Sequence, residues 1–139
     1  KNKKQLYLYV LNESWEITFS KLNEINVLAC TSEEKLYRLI ATLYYDIKGR
    51  NGLGKVLFDS SVEELKKGDY LTELKNKLLE KVNTIISSFK KEESEIPPVK
   101  STIRMAETLL ISINAMVELH SDDDIENIAF LKHLFSLVI

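Results

Sequence analysis

The sequence predicts an α+β fold in a single domain, residues 1–139. We expect residues 1–59 to form an antiparallel β-meander of three or four strands with one packed helix, and residues 60–139 to form a helical half of three main helices. Two observations predict this division. Residues 6–11 are rich in strand-forming side chains and residues 15–20 alternate apolar with polar ones, whereas residues 70–91 repeat apolar side chains every three or four positions. A period of two is typical of a half-buried strand, and a period near 3.6 of an amphipathic helix.

The predicted meander depends on pairing residues 6–11, LYLYVL, with residues 15–20, WEITFS. Asn12 and Glu13 between them fit a tight hairpin turn. With that turn the apolar positions of both strands share one face, and a one-residue slip would scatter them. These positions are Leu6, Leu8, Val10, Trp15, Ile17 and Phe19. Residues 25–30 predict a third strand, and residues 55–59, KVLFD, a fourth.

A capping signal precedes the first predicted helix. Thr31 is followed three positions later by Glu34, the spacing at which a hydroxyl and a carboxylate cap a helix start. Apolar side chains then recur at helical spacing as far as Ile47, and Gly49 supplies a stop. This stripe predicts that the helix covers the apolar face of the meander.

Three further helices are predicted in the second half. The longest covers about 70–91, and the connector that follows it, residues 92–100, contains both prolines. Two helices are expected at 102–119 and 122–138, and the aspartates that open the second suit the positive end of a helix dipole. Both helices are apolar on nearly every face. They are therefore expected either at the centre of the domain or in a homodimer contact.

Composition argues against several classes of function. A net charge of −2 over 139 residues gives no basic field that would draw the chain to nucleic acid or to an anionic membrane. A single Cys allows neither an intrachain disulfide nor a four-cysteine zinc site. The sequence has no run of about 18 uncharged apolar residues and no signal-peptide core. We therefore expect a cytoplasmic protein without a membrane span.

Residues 49–56, GRNGLGKV, match the spacing of a phosphate-binding loop, G-x-x-x-x-G-K. In such a loop a strand leads into the glycines and a helix follows, so that the helix N-terminus points at the phosphate. Here a predicted helix leads in, a predicted strand leads out, and Val56 stands where a Ser or Thr should hold Mg²⁺. We interpret the stretch as a helix-to-strand turn. Nucleotide or nucleic-acid binding by residues 49–55 is the alternative function.

Three side chains could carry other chemistry. Cys30 precedes a helix start, where a thiol can become reactive, but no motif places a histidine beside it. His120 is close to three aspartates, yet the spacing matches no metal motif. His133 lies in an apolar helix and fits a packing role. The sequence therefore predicts no catalytic residue, no metal and no cofactor.

Tyrosines are the remaining side chains that could contact a partner. Tyr7 and Tyr9 would project from the meander face opposite the core, whereas Tyr44 and Tyr45 belong to the first helix. Exposed aromatic rings can stack on bases, but no basic groove is interleaved with them, and Tyr is also favoured at protein interfaces. We therefore predict a non-enzymatic protein-binding module, such as a small regulator, inhibitor, immunity-type or oligomeric adaptor protein. The predicted contact residues are Tyr7, Tyr9, Tyr44, Tyr45, Arg50, Asn51 and Lys55.

Overall fold

The computed structural model describes residues 3–49, 69–89 and 102–138, and all regular structure in these ranges is helical. The helices are α1 (Lys3–Asn26), α2 (Ser32–Gly49), α3 (Asp69–Ser87), α4 (Thr102–Leu119) and α5 (Asp124–Ser136). No strand occurs in the described ranges, so the predicted α+β fold with an N-terminal β-meander is wrong. The fourth predicted strand, residues 55–59, lies outside the described residues.

One continuous helix replaces the predicted hairpin, because the buried side chains follow a helical period. At successive steps of three or four residues, α1 buries Leu11, Trp15, Phe19, Leu22 and Ile25. By contrast Leu6, Val10 and Ile17, which the hairpin placed on the core face, are exposed. Trp15 and Phe19 belong both to the alternating pattern of residues 15–20 and to the buried stripe of the helix, so these two positions fit either structure. Tertiary packing of this stripe overrides the modest strand preference of aromatic and β-branched residues.

The predicted turn and third strand are also replaced. Asn12 and Glu13 are interior residues of α1. Residues 25–30 contain the end of α1 and a tight connection to α2, in which the Leu28 N–H donates to the Ile25 carbonyl at 3.2 Å. The Cys30 N–H donates in turn to the Leu28 carbonyl at 3.2 Å. The chain therefore reverses direction where a strand was predicted.

The predicted helices of the described ranges are confirmed. The Glu34 N–H donates to Thr31 Oγ1 at 3.1 Å, as the capping signal requires, and α2 ends at Gly49. Helix α4 has the predicted bounds, and α3 and α5 each end within a few residues of theirs. None of the described helices is both long enough and apolar enough to cross a membrane.

Of the described helices, α1 to α4 form a bundle and α5 lies on its outside. Helix α1 packs against α2 and α3, and α4 packs against the same two helices. Helix α5 packs against α2 and α4. Lys21 donates to Asp46 near the end of α2 at 2.9 Å, and Lys35 near its start donates to the Asn26 carbonyl at 3.0 Å, so α1 and α2 are antiparallel. Helix α2 therefore covers another helix and not a sheet.

Within the described ranges, a cluster of buried apolar side chains connects the helices α1 to α5. Its largest fully buried members include Trp15 and Phe19 from α1 and Tyr44 from α2. The Trp15 and Phe19 rings lie 6.1 Å apart between their centroids. This packed interior holds α2 with one side towards the core and the other towards solvent, and the solvent side carries the candidate site.

Candidate functional site

The structure separates the tyrosines that the sequence grouped together. Tyr9 and Tyr45 are exposed, whereas Tyr44 is completely buried. Tyr7 lies in α1, and its side chain is outside the described part of the structure. The remaining predicted contact residues, Arg50, Asn51 and Lys55, also lie outside the described residues. Nucleotide or nucleic-acid binding by residues 49–55 therefore stays a prediction, although α2 does end at the first of these glycines.

The outer side of α2 carries a row of residues spaced four apart. Tyr37 and Tyr45 are 46% and 50% exposed, and the small Ala41 lies between them. Residues four apart in a helix are neighbours on one face, so these side chains form a continuous strip across two helical turns. We call Tyr37, Ala41 and Tyr45 the tyrosine surface. Sequence reasoning included Tyr45 among the contact residues but missed Tyr37.

An open groove of about 350 Å³ adjoins the tyrosine surface, between α2 and the end of α1. It is lined by Lys21, Glu24, Ile25, Leu28, Tyr37, Arg38, Ala41 and Thr42. Two of its basic side chains are already engaged: Lys21 Nζ lies 2.9 Å from Asp46 Oδ1, and Arg38 Nε lies 3.1 Å from Glu34 Oε1. Helical spacing could have located this part of α2, but only the fold shows which part of α1 lies opposite.

A cluster of polar side chains connects the start of α5 to the end of α2 by hydrogen bonds. Lys48 Nζ donates to both carboxylate oxygens of Asp124, at 2.6 and 2.8 Å, and to the Ser121 carbonyl at 2.8 Å. The Tyr44 hydroxyl donates to Asp124 Oδ1 at 2.7 Å and accepts from Asn127 Nδ2 at 2.8 Å. These bonds satisfy the buried hydroxyl of Tyr44 and the buried amide of Asn127, as burial of polar groups requires. We call these side chains the polar cluster.

The polar cluster shifts the ionisation of its members. Hydrogen bonds from Lys48 and Tyr44 hold the pKa of Asp124 below its ordinary value. The same bond to Asp124 raises the pKa of Lys48. Burial raises the pKa of Tyr44, and the neighbouring Asp124 acts in the same direction. The cluster therefore prefers a carboxylate, an ammonium and a neutral phenol, which are the forms present near neutral pH.

Tyr44 was predicted as a partner contact, but the structure assigns it to the core. It follows Ile40 by four residues and precedes Ile47 by three, so it belongs to the buried stripe of α2. Its ring meets the ring of Tyr45 in a T-shaped arrangement with centroids 5.6 Å apart. Because the polar cluster fixes Tyr44, this contact also restricts the exposed Tyr45 ring.

The other candidate side chains all lie at the surface of the described structure. Cys30 is a free, exposed cysteine, and His120 and His133 are both exposed. Within the described residues, no three His, Cys, Asp or Glu side chains lie together as metal ligands. The C-terminal helices were expected to be central or to form a homodimer contact. Helix α5 has one buried side and one exposed apolar side, so it is not central.

A second open groove, of about 390 Å³, lies between α1 and α3. Lys77 Nζ lies 4.7 Å from the centroid of the Phe19 ring and 3.2 Å from Glu16 Oε1, while Lys81 donates to Asn23 at 2.7 Å. These lysines therefore stabilise the α1–α3 contact.

Comparison of the chain with protein-family models, with curated proteins and with solved structures finds no match.

Proposed function

We propose that the chain is a non-enzymatic protein-binding module, and that a partner protein contacts the tyrosine surface and the adjoining groove. The observation that carries the proposal is the half-exposed pair Tyr37 and Tyr45 beside Arg38 on one helix. Tyr and Arg are the residue types that contribute most to binding energy at protein interfaces, along with Trp. Aromatic rings also bury a large area with few rotatable bonds, so little conformational entropy is lost on binding.

The position of Tyr45 supports this role. Its ring packs on Tyr44, which is buried and hydrogen-bonded to Asp124. A ring that is restricted before binding loses less freedom when a partner covers it, and this preorganisation increases affinity. Tyr45 is therefore expected to contribute more binding energy than Tyr37. The ion pair between Arg38 and Glu34 lies at the exposed edge, where such pairs contribute little to affinity by themselves.

The open groove favours a partner that inserts side chains between α1 and α2. Leu28 and Ala41 supply apolar contacts on its two sides, and Glu24 supplies an acceptor for a donor on the partner. We place the module in the cytoplasm, since its single cysteine is free and exposed, which fits a reducing compartment.

The test is affinity capture with the full chain as bait, followed by quantitative mass spectrometry. A double variant, Tyr37→Ala with Tyr45→Ala, should recover at least about tenfold less of the partner that the wild-type chain captures, because hot-spot truncations cost about 2 kcal/mol or more. Both side chains are half exposed, so the variant should keep its far-ultraviolet circular dichroism spectrum. Unchanged recovery would rule out the tyrosine surface as the contact.

Tyr9→Ala separates this proposal from the sequence-based prediction that counts Tyr9 among the contact residues, because Tyr9 is an exposed tyrosine on a different helix. The proposal expects this variant to capture the partner as well as the wild-type chain does. If Tyr9→Ala lowers recovery while the α2 double variant does not, the contact lies on α1 and the proposal fails.

A further inference from the structure

Helix α5 and the residue that follows it, Leu137, carry a second row of regularly spaced side chains, on the side that faces away from the bundle. The row comprises Glu126, Phe130, His133 and Leu137, at steps of four, three and four residues. All four side chains are exposed, and Phe130 and Leu137 are 48% and 56% exposed. The opposite side of the helix buries Asn127, Ile128, Leu131 and Phe135 against the bundle. We call the exposed row the outer seam.

The spacing of the outer seam is that of a helix-to-helix contact. Alternating steps of four and three place side chains at the a and d positions of a coiled coil, where they pack into the spaces of a facing helix. Leu134, which is also exposed, lies beside the seam and widens its apolar part. A helix that buries one side and presents an apolar seam on the other is suited to lie between two bundles.

The polar members of the seam indicate which helix would face it. Glu126 and His133 lie on the two sides of Phe130, one carrying a carboxylate acceptor and the other an imidazole donor. Within the described residues, neither side chain takes part in an ion pair. An identical seam in antiparallel orientation would bring each carboxylate towards an imidazole of the other copy. A parallel copy would instead place the two Glu126 carboxylates side by side, which is unfavourable.

We propose that the outer seam binds the outer seam of a second copy of this chain, in an antiparallel, two-fold symmetric dimer. A two-fold contact uses the same residues twice, so the pair Glu126 and His133 forms once on each side of the symmetry axis. The antiparallel arrangement also sets the positive end of each helix dipole beside the negative end of the other. The inference does not depend on the tyrosine surface, because that surface belongs to α2.

The size of the contact sets its strength. Helix α5 has only 13 residues. A stable interface usually buries about 800 Å² on each partner, more than one short helix pair is expected to provide. The dimer should therefore form reversibly and be detected as a rise in average mass with protein concentration.

Sedimentation equilibrium of the full chain over a concentration series tests the dimer. Leu137→Asp should raise the dissociation constant by at least about tenfold, because it puts a charge into the seam twice per dimer. Ile125→Asp is the matched control: it introduces the same charge at an exposed apolar position of α5 outside the seam. A wild-type chain that stays monomeric at every concentration overturns the proposal, and so does an equal effect of the two variants.

Charge reversal tests the orientation. His133→Glu should weaken self-association by at least about tenfold, because the antiparallel dimer would then oppose two carboxylates on each side of Phe130. Glu126→Lys should also weaken it, because the acceptor for the imidazole is lost. The double variant Glu126→Lys with His133→Glu in one chain should restore self-association, since every antiparallel pair then joins a lysine to a glutamate, whereas a parallel dimer would oppose two lysines and two glutamates. If the double variant associates no better than either single variant, the antiparallel seam is wrong.

Discussion

Phe19→Ala should destabilise the chain by about 3–5 kcal/mol, whereas Ile17→Ala should cost less than about 1 kcal/mol. The Phe19 side chain is 2% exposed and packs beside Trp15, with a ring-centroid separation of 6.1 Å. Truncation removes its transfer free energy, leaves a cavity, and also removes the contact between its ring and the Lys77 ammonium at 4.7 Å. The loss of unfolding free energy is therefore expected near the upper end of the range for large-to-small substitutions in a core.

Ile17 differs because α1 turns it away from the core. It is 61% exposed, so well under half of its surface is withdrawn from water. Full burial of such a side chain is worth about 1.5–3 kcal/mol, which leaves roughly 0.6–1.2 kcal/mol at this site. Alanine has the higher helix propensity, by a few tenths of a kcal/mol, and offsets part of that loss. The net effect should lie within about 1 kcal/mol of zero.

The assay is urea denaturation followed by circular dichroism at 222 nm, where helix dominates the signal. The slope of the unfolding free energy against urea concentration checks that both variants unfold in the same way. For a chain of this length, about 3 kcal/mol also corresponds to a fall in Tm of about 10 °C. If Ile17→Ala and Phe19→Ala cost the same, the two side chains share a buried face, as they would in a strand. That result would refute the helical assignment of α1.

Three further predictions concern the interior of α1 and the polar cluster. Glu13→Gly should cost about 0.5–1 kcal/mol in a melting experiment, because glycine weakens the interior of α1, whereas in a hairpin turn it would create the favoured Asn-Gly pair and stabilise the chain. Tyr44→Phe should cost about 1–2 kcal/mol by removing a buried hydroxyl with two partners, while Tyr45→Phe, at the exposed neighbour, should cost almost nothing. The pKa of Asp124 is lowered in the folded chain, so its contribution to stability is complete above the ordinary Asp pKa and is lost as the pH falls through the lowered pKa. Urea titrations between about pH 5 and pH 2 should therefore show a smaller acid-induced loss of stability for Asp124→Asn than for the wild-type chain, and an identical loss would contradict the role of the Lys48 contact.

The helices that the sequence predicts correctly have a clean apolar stripe. In α3 the buried positions run through the helix with polar residues between them, and Thr31 marks the start of α2 by the cap that it forms. In α1 the exposed apolar residues Leu6, Val10 and Ile17 blur the stripe. Inside a window of six residues they produce an alternation that resembles a strand, and only a longer window separates a period of two from one of 3.6.

The sequence groups Tyr44 with Tyr45, and the structure separates them. Tyr44 and Tyr45 are adjacent in sequence, but adjacent helix residues point about 100° apart, so one enters the core and the other reaches solvent. Once α2 is taken as a helix, its stripe assigns Tyr44 to the core. The hydrogen bond from Tyr44 to Asp124 could not be predicted in this way, because it joins residues 80 positions apart in the chain.

The local sequence is sufficient for the helical stripes of α2 and α3, the capping at Thr31 and the helix bounds of α4, because these depend on neighbours within a few residues. Tertiary packing makes α1 a helix, because burial of its long stripe against α2 and α3 outweighs its local strand preference. Tertiary structure also decided which tyrosines are exposed and that α5 lies outside the bundle with its seam in solvent. The reason is that burial depends on which distant helices come together, and that choice is made by the whole apolar surface of the chain.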